Sequence, residues 1–522
     1  MAIRRSKLIL VGALLVISGI FLFAFFGFGD SDKPEKEVDN ASYHLQRRFA
    51  PASVVLSDRN SPQKMWPVDG VDVVYFWTRP MVDSRMEDFD MLYDKEKKNA
   101  LVEVEDMSGD FAQMQFYFAR GLEYFAPWLR NLVVVIPDSV DTRPFNDSDP
   151  RVRYVKHSQI VPEGAQPIFN WRALLTNFYV KEKNVSDQFV YADDLSFLIS
   201  YLPTSIFRNQ SGEIKLPVVN NELSTPLGDV EVNILKRSAE AVKACISDYK
   251  DQLGFTQENL DSVFNKQNLP PFETRGLNLL DRKVLADLYA VCHESLEATR
   301  LHRLRRRDDV DIIYMHHAFI FYMRDLYRHP LAVERFIAEF DLNEDGRFSR
   351  EELVHLAEAL GFEQGAVGKW IAEVLNQEEY RNHTLLPIDA LIESSSIFSR
   401  IAERAVKPKF RFQLATSPTV AIELRKTIPL KLSKIMPALK SGEIASLWAG
   451  PRILGPNGAE TFEAVEALLW NILSRKFSSL ETVYKPPAQL GLLIGIVYFC
   501  FFFIGSWALT KWLLRAPKKS ND

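Results

Sequence analysis

The 522-residue sequence predicts an α/β protein with a mostly parallel, Rossmann-like sheet core, a helical C-terminal part and a transmembrane helix near each end. Three observations support this prediction. Short runs of β-branched and aromatic residues alternate with helical patterns between residues 71 and 193, as in strand–helix–strand units. Beyond about residue 230, apolar residues recur mainly at helical spacing. An almost unbroken apolar run lies close to each terminus.

The two apolar runs, residues 8–28 and 488–510, are each long enough to cross a bilayer core, which takes about 20 helical residues. The first run ends without the small residues of a signal-peptide cleavage site, which favours an uncleaved anchor over a cleaved signal. Basic residues tend to stay on the cytosolic side. They lie outside both runs: Arg4, Arg5 and Lys7, then Lys511, Arg515, Lys518 and Lys519. Both termini are therefore predicted to be cytosolic and residues 29–487 to be lumenal.

The predicted lumenal part carries Asn-x-Ser/Thr sequences, which accept glycans in the secretory pathway. These candidates are Asn40, Asn146, Asn184, Asn209 and Asn382. Cys245 and Cys292 form either one disulfide or two buried thiols, while Cys500 lies in the second apolar run. The net charge of −5 gives no basic excess, which argues against a nucleic-acid partner.

The first structural elements follow a polar stem, residues 29–68. The predicted elements are strands at residues 71–77, 132–136, 153–155 and 188–191, and a helix over 111–126 that ends at Pro127. In parallel sheets, ligands bind beyond the carboxyl ends of the strands. Asp193 and Asp194 directly follow the last predicted strand. With Asp72 they are candidate ligands for a divalent metal, although paired acids are also common surface residues.

The segment Asp341–Glu352 has the ligand pattern of a 12-residue EF-hand calcium loop. The oxygen donors are the side chains of Asp341, Asn343, Asp345, Ser349 and Glu352 and the backbone carbonyl of Arg347. Gly346 permits the sharp turn at the sixth position. Amphipathic stretches flank the loop, so the sequence predicts a helix–loop–helix unit over residues 331–362 that binds Ca²⁺. The alternative is a degenerate loop that keeps the fold without the ion.

A basic cluster separates two helical segments between residues 279 and 326. Arginine binds phosphate oxygens with its forked guanidinium group, so Arg303, Arg305 and Arg307 are candidate phosphate-binding residues. Acids at positions 308, 309 and 311 follow directly. These residues alone slightly favour the alternative, in which the acids pair with the arginines and cap a helix.

Several of these stretches, in order, resemble the conserved regions of the Stealth family of hexose-1-phosphate transferases. Val71-Asp-Val-Val-Tyr-Phe-Trp77 is similar to the first region. Arg120-Gly-Leu-Glu-Tyr-Phe-Ala-Pro-Trp-Leu-Arg130 resembles the second, which continues to Phe189-Val-Tyr-Ala-Asp-Asp194. Thr299-Arg-Leu-His302 through Asp309 resembles the third region. An EF-hand after the third region and a span at each end are similar to the arrangement in the family's animal N-acetylglucosamine-1-phosphotransferases.

The resemblance implies a glycosyltransferase-like fold and an enzyme of the Golgi, or endoplasmic reticulum, membrane. Such an enzyme transfers a sugar-1-phosphate, of the N-acetylglucosamine-1-phosphate type, from a nucleotide sugar to a glycan or glycoprotein acceptor. The implied catalytic residues are Asp72, Arg120, Asp193, Asp194 and His302, with Mg²⁺ or Mn²⁺ at the acids. The sequence leaves open whether the chain forms a homo-oligomer.

The sequence also departs from the family's pattern. Ala192 replaces an asparagine before the two acids, and Leu175 replaces an acid. The stretch 114–116 lacks an expected Glu-Leu-Arg, and 447–450 lacks an Asn-Asp pair. Losing one electrostatic donor typically costs about 10²–10³ in rate. Two functions therefore remain open: an active sugar-phosphate transferase, or an inactive relative that binds a glycan or a partner in the lumen. An ordinary glycosyltransferase is less favoured.

The predicted domain organisation collects these features. Its parts are a cytosolic N-terminus (1–7), a transmembrane helix (8–28), a stem (29–68), the Stealth-like α/β transferase domain (69–330), the EF-hand-like unit (331–362), a mixed and helical lumenal part (363–487), a second transmembrane helix (488–510) and a cytosolic tail (511–522).

Overall fold

A computed structural model describes the central part of the chain, and the described residues all belong to the compact unit Asp58–Thr482. They are residues 70–77, 81–96, 98, 100–101, 114–138, 145–193, 196–209, 211–224, 226–266, 268–375, 386–388, 391, 395–422, 437–438, 441, 444–449, 468–469 and 472–473.

A five-stranded sheet in the order β3-β2-β1-β4-β7 forms the core. Strands β1 to β4 are parallel and β7 is antiparallel to β4, so the predicted mostly parallel α/β core is confirmed. The strands described in the chain are β1 (Val71–Phe76), β2 (Leu129–Ile136), β3 (Val152–Lys156), β4 (Gln188–Asp193), β5 (Ser196–Leu198), β6 (Ile214–Val218), β7 (Asn278–Asp281), β8 (Arg347–Phe348), β9 (Leu386–Pro387), β10 (Phe412–Thr416), β11 (Thr419–Ile422) and β12 (Ser446–Ala449).

The carboxyl ends of β1 and β4 lie side by side at the middle of the sheet. All of β1 is buried, as expected for a parallel strand with both faces covered, and this burial explains its unbroken apolar run. Phe76 pairs with Val135 on one side and with Asp193 on the other. The chain runs from β1 to β2 and β3 on one side, then returns to β4 on the other. Ligands bind at such a switch point in open α/β sheets.

Helices surround the sheet and continue into the C-terminal part. They are α1 (Met81–Glu96), α2 (Met114–Phe125), α3 (His157–Ile160), α4 (Trp171–Lys181), α5 (Asp229–Asp248), α6 (Lys250–Leu253), α7 (Gln257–Lys266), α8 (Arg282–Val291), α9 (His293–Arg300), α10 (Ile312–Tyr327), α11 (Pro330–Ala338), α12 (Arg350–Ala359), α13 (Gln364–Leu375) and α14 (Ser395–Ala405). A disulfide joins Cys245 of α5 to Cys292 after α8. Of the two states that the sequence left open, a disulfide or two buried thiols, the structure has the disulfide.

The chain after the helical unit returns to the α/β core. Strand β10 pairs in parallel with β6, with Phe412 opposite Ile214. Strand β12 lies between β11 and β5 in a three-stranded sheet. Residues separated by about 200 positions (β10 and β6) and about 250 positions (β12 and β5) therefore pair in these small sheets, and local sequence patterns cannot reveal such pairings.

The predicted location in a Golgi or endoplasmic reticulum membrane, with two spans, is not supported by the described part of the chain. In the described part of the chain, no helix is both long enough and apolar enough to cross a membrane. Helix α5 has 20 residues but carries charged side chains along its length. Helix α10 is apolar but has 16 residues, most of them buried within the protein. The runs 8–28 and 488–510, from which the spans were predicted, lie outside the described residues.

Candidate active site

The N-terminus of α4 lies at the carboxyl edge of the sheet, because α4 leads from that edge back to the start of β4. Asn170 caps this helix, since its Oδ1 accepts a hydrogen bond from the backbone N–H of Arg172 at 3.2 Å. The backbone N–H of Phe169 donates to the carbonyl of Arg303 at 2.7 Å. These contacts bring the basic segment that follows α9 to the carboxyl edge of the sheet.

His302 and Asp309 form a hydrogen-bonded pair in this segment. Nδ1 of His302 lies 2.6 Å from Oδ1 of Asp309, whose side chain is fully buried. Oδ2 of Asp309 accepts hydrogen bonds from Nδ2 of Asn170 and from the backbone N–H of Arg306, both at 2.8 Å. Among the described residues, Nε2 of His302 has no partner. A histidine held at one ring nitrogen by a fixed carboxylate can act as a general base with the other.

Asp308 extends this pair to a group of three. The nearest ligand atoms of His302, Asp308 and Asp309 all lie within 4.8 Å of one another. Such a group could hold a cation, although both Asp309 oxygens already accept hydrogen bonds from the protein.

Arg172 connects the N-termini of three helices at the same edge. It lies in the first turn of α4, and its Nε donates to Asp311, the N-cap of α10, at 3.2 Å. Its Nη2 donates to Glu231 in the first turn of α5. Burial disfavours the charge of Arg172, but the carboxylates of Glu231 and Asp311 raise its pKa above the ordinary value. Arg172 is therefore a buried, permanently charged group.

The three candidate phosphate-binding arginines have different surroundings. Arg305 pairs with Glu231, so its acid partner comes from α5 and not from the acids that follow it in sequence. Nε of Arg303 donates to the carbonyl of Pro167 at 3.3 Å. Arg307 is exposed, and its backbone carbonyl accepts a hydrogen bond from Arg237.

Glu231 is a site residue that no motif in the sequence indicates. Burial raises its pKa, but Arg172 and Arg305 act in the opposite direction and hold the pKa at about 2. The carboxylate is therefore charged at neutral pH and pairs with both arginines. An acid in the first turn of a helix is an ordinary pattern, and nothing in the local sequence links it to arginines 59 and 74 positions away.

Asp72 lies far from the other candidate acids. It pairs with Phe189, whereas Asp193 pairs with Phe76, so the two acids are separated by four positions along the strands. At ~3.3 Å per residue this separation is roughly 13 Å. The carboxylate of Asp72 accepts hydrogen bonds from Nε of Arg130 at 2.8 Å and from the backbone N–H of Ser186 at 2.8 Å. The structure therefore does not bring Asp72 together with Asp193.

Asp193 ends β4 at the carboxyl edge, where its Oδ1 accepts a hydrogen bond from the hydroxyl of Ser196 at 2.7 Å. Asp194 lies outside the described residues. Arg120 lies on α2, and its Nη1 donates to the carbonyl of Leu473 at 3.3 Å. Asp193 thus shares the edge of the sheet with His302, while Arg120 links α2 to the C-terminal part of the chain.

Two departures from the family's pattern are apolar residues of the core. Leu175 is buried within α4, and Ala192 is buried within β4. Neither position supplies charge to the carboxyl edge, so the charged groups of the candidate site come from other residues.

A helix–loop–helix unit contains the predicted calcium loop, between α11 and α12. Oδ2 of Asp341 accepts a hydrogen bond from the backbone N–H of Gly346 at 2.8 Å. Gly346 has a φ of 72°, which glycine adopts without strain. Glu352 folds back over the loop, where Oε1 accepts from the N–H of Leu342 at 2.9 Å and Oε2 from that of Ser349 at 2.7 Å. The remaining predicted ligands, Asn343, Asp345 and Arg347, are exposed along the same loop.

The predicted glycan acceptors are in different environments. Asn184 is exposed, whereas Asn146 and Asn209 are half-buried and accept hydrogen bonds within local turns. Asn40 and Asn382 lie outside the described residues.

The fold and site define a class of protein: a doubly wound α/β protein with a histidine–carboxylate pair and paired arginines at the carboxyl edge of its sheet. Two protein-family models match this chain. Stealth protein conserved region 2 matches residues 109–216, and Stealth protein conserved region 3 matches residues 277–322. This chain therefore contains two conserved regions of Stealth proteins, which confirms the resemblance noted in the sequence. Asn170 lies in the first matched region, and His302 and Asp309 lie in the second.

Several proteins similar to this chain are named as bacterial phosphotransferases. A capsular polysaccharide phosphotransferase of Haemophilus influenzae is 22% identical over 245 residues, which are 46% of this chain and 62% of the relative. A capsular polysaccharide phosphotransferase of Neisseria meningitidis serogroup B is 28% identical over 20% of this chain and 28% of its own length. An exopolysaccharide phosphotransferase of Streptomyces coelicolor is 34% identical over 24% of this chain and 21% of its own length. The chain thus spans less than two thirds of each of these relatives.

Proposed function

We propose that this chain is a transferase that moves a sugar-1-phosphate, of the N-acetylglucosamine-1-phosphate type, from a nucleotide sugar to a glycan acceptor. The observation that carries the proposal is the His302–Asp309 pair, held by Asn170 at the carboxyl edge of the sheet. The names of the relatives, which are polysaccharide phosphotransferases, support the class of reaction.

In the proposed reaction, Nε2 of His302 takes the proton of an acceptor hydroxyl while the hydroxyl oxygen attacks the phosphorus that carries the sugar. A bond forms between this oxygen and phosphorus, and the bond from phosphorus to the bridging oxygen of the diphosphate breaks. The nucleoside monophosphate leaves with the bridging oxygen. Asp309 orients the imidazole through Nδ1 and stabilises the imidazolium that forms.

A divalent cation at this site, Mg²⁺ or Mn²⁺, remains a prediction. When bound, such an ion neutralises charge on a transferring phosphoryl group. Asp72 does not fit the predicted ligand set, because its carboxylate is held by Arg130 about four strand positions from Asp193. Asp193 fits by its place at the carboxyl edge, with Asp194 next to it in sequence.

Nucleotide release tests the proposed reaction. The purified full-length chain is incubated with UDP-N-acetylglucosamine, a mannoside acceptor and Mg²⁺ or Mn²⁺. We expect UMP to form in amounts that depend on the acceptor. UDP in place of UMP would identify an ordinary glycosyltransferase and contradict the proposal.

A second candidate function is that of an inactive relative that binds a glycan or a partner protein. The buried Leu175 and Ala192 favour it, because the family's pattern has polar residues at these positions. Under this alternative, no nucleotide is released from any sugar donor, and calorimetry detects the glycan but not the nucleotide sugar.

We further propose that the loop between α11 and α12 binds Ca²⁺. The candidate ligands Asp341, Asn343, Asp345, Ser349 and Glu352, with the carbonyl of Arg347, would supply only oxygen atoms, which calcium prefers. Burial raises the pKa of Glu352, but hydrogen bonds from Ser349 and from the backbone of the loop outweigh it and lower the pKa below its ordinary value. The carboxylate is therefore charged at neutral pH, as a calcium ligand must be, although both of its oxygens also accept backbone hydrogen bonds.

A further inference from the structure

Three buried arginine donors beside the His302–Asp309 pair lack a hydrogen-bond acceptor among the described residues. They are Nη1 of Arg172, Nε of Arg305 and Nε of Arg306. Other N–H groups of the same side chains are paired, since Arg172 and Arg305 both contact Glu231 and Arg306 contacts Glu96. A buried charged donor without an acceptor costs free energy, which an arriving acceptor recovers. The unpaired donors therefore indicate a place for an oxygen-rich ligand.

Glu231 brings two of these guanidinium groups to one carboxylate. Its Oε2 contacts Nη2 of Arg172, and its Oε1 contacts Nη2 of Arg305. Because both guanidinium groups contact the same carboxylate, they lie close enough together to bind one further small anion between them. The side chains of Glu231 and Arg305 are 27% and 22% exposed, whereas that of Arg172 is 2% exposed. Arg305 therefore reaches solvent, and Arg172 supplies the buried side of the arrangement.

The paired guanidinium groups belong to the same edge of the sheet as the candidate base. Arg172 follows Asn170, the residue that donates to Asp309, and Asp309 is among the charges that act on Arg172. Arg305 follows His302 by three positions in the same segment. A ligand at the paired arginines would thus lie beside His302.

We propose that Arg172 and Arg305, spaced by Glu231, bind a phosphoryl group of the class found in the diphosphate of a nucleotide sugar. This inference rests on the proposed transferase function and adds Arg172 to its substrate-binding residues. Guanidinium groups match phosphate oxygens in forked geometry, and the unpaired Nη1 and Nε atoms supply the N–H donors.

Binding of inorganic pyrophosphate to the full-length chain, measured by calorimetry, tests this subsite. We expect Arg305→Met to weaken the Kd about tenfold, because one charged hydrogen-bond donor is lost. Arg172→Lys keeps a positive charge beside Glu231 and Asp311 but removes Nη1, so we expect about fivefold weaker binding. Arg300→Met is the matched control. Its guanidinium has Glu297 and Asn177 as partners, and its loss should leave the Kd within about twofold of the wild type.

The outcomes separate this inference from the proposed reaction. Equal binding by the wild type and both variants, or no binding by the wild type, would overturn the subsite. Sugar-phosphate transfer with an unchanged donor KM in both variants would also overturn the subsite, but it would support the proposed transferase function. Pyrophosphate binding that depends on the two arginines, without nucleotide release from any donor, would support the subsite but contradict the proposed transferase function. Thermal melting checks folding, and if Arg172→Lys fails to fold, Arg305→Met decides alone.

Discussion

Asp72 and Asp309 are both buried carboxylates, and their positions in the sheet give them different roles. Asp72 lies near the amino end of β1, where Arg130 of β2 and the backbone of Ser186 hold it. Burial raises the pKa of Asp72, but these partners outweigh it and lower the pKa below the ordinary value. Asp309 lies at the carboxyl edge and holds a histidine whose second nitrogen has no partner among the described residues. The first arrangement ties two strands together, and the second can transfer a proton.

His302→Gln tests the proton-transfer role at the scale of one residue. We expect kcat for sugar-phosphate transfer to fall about 10²–10⁴-fold, because the glutamine amide cannot accept the acceptor's proton. The donor KM should change little, since the proposed binding site for the donor is the pair Arg172 and Arg305 and not His302. His293→Gln, at an exposed position of α9, is the control and should keep the wild-type kcat. Wild-type turnover by His302→Gln would refute the assignment of the base.

The strands of the central sheet show how far the sequence predicts its elements. The apolar runs predicted β1 and β4 closely, because parallel strands buried on both faces are continuously apolar. The run at 132–136 predicted only the buried part of β2, which begins at Leu129. Strands β10 and β12 have partners far away in the sequence, so no local pattern fixes them.

The candidate site also contains residues of two kinds: those that a local sequence motif predicts and those that only the fold brings together. His302 and the arginines were predicted from a short motif, and contacts with Phe169 and Asn170 bring that segment to the start of α4. Glu231 and Asn170 join the site only because α5 and α4 begin at the same edge. The position of Asp72 was available from the sequence: it is the second residue of its strand, and only the carboxyl end faces the ligand crevice.

Calcium binding is a prediction at the scale of the helix–loop–helix unit. At a calcium concentration of 100 times Kd, a single site adds about 2.7 kcal/mol to the free energy of unfolding of the unit that holds it. We expect calcium to raise the melting temperature of the wild type and Glu352→Gln to abolish the rise, because the amide loses one charged ligand oxygen. Glu351→Gln, an exposed neighbour on α12, should melt like the wild type in calcium. A wild-type melting temperature that does not change with calcium would contradict the prediction.

At the scale of the molecule, one large core joins the central sheet to the helices packed around it. Helix α10 lies in this core, and most of its residues are buried, including His316 and His317. A second, smaller core lies within the helical unit around α11 to α14. Disturbing α10 therefore affects the α/β core as a whole, whereas changes in the loop between α11 and α12 act first on the smaller core.

The two adjacent histidines of α10 form a neutral chain of hydrogen bonds. The backbone N–H of Asp281 donates to Nε2 of His316 at 3.1 Å, so this nitrogen carries no proton. Nδ1 of His316 then donates to Nδ1 of His317 at 3.2 Å, and Nε2 of His317 donates to the Asn278 side chain at 3.3 Å. Burial lowers the pKa of His316 to about 3 and that of His317 well below its usual range. An added proton has no acceptor in this chain and repels the neighbouring ring.

Stability should therefore fall as the pH drops below the ordinary histidine value. The unfolded state binds protons near pH 6.5 while the folded state does not, so the stabilisation is present above this pH and is lost progressively below it. For two histidines the free energy of unfolding should decrease by roughly 2–3 kcal/mol between pH 7.5 and 5.5.

Urea titrations of the full-length chain at several pH values measure how the free energy of unfolding changes with pH. His317→Gln should reduce the slope of the free energy of unfolding against pH by about half. Only one histidine then remains that binds a proton in the unfolded state but not in the folded state. His355→Gln, at an exposed position of α12, should leave the slope unchanged. A free energy of unfolding that stays constant over this range would show that the pair accepts a proton without opening the core.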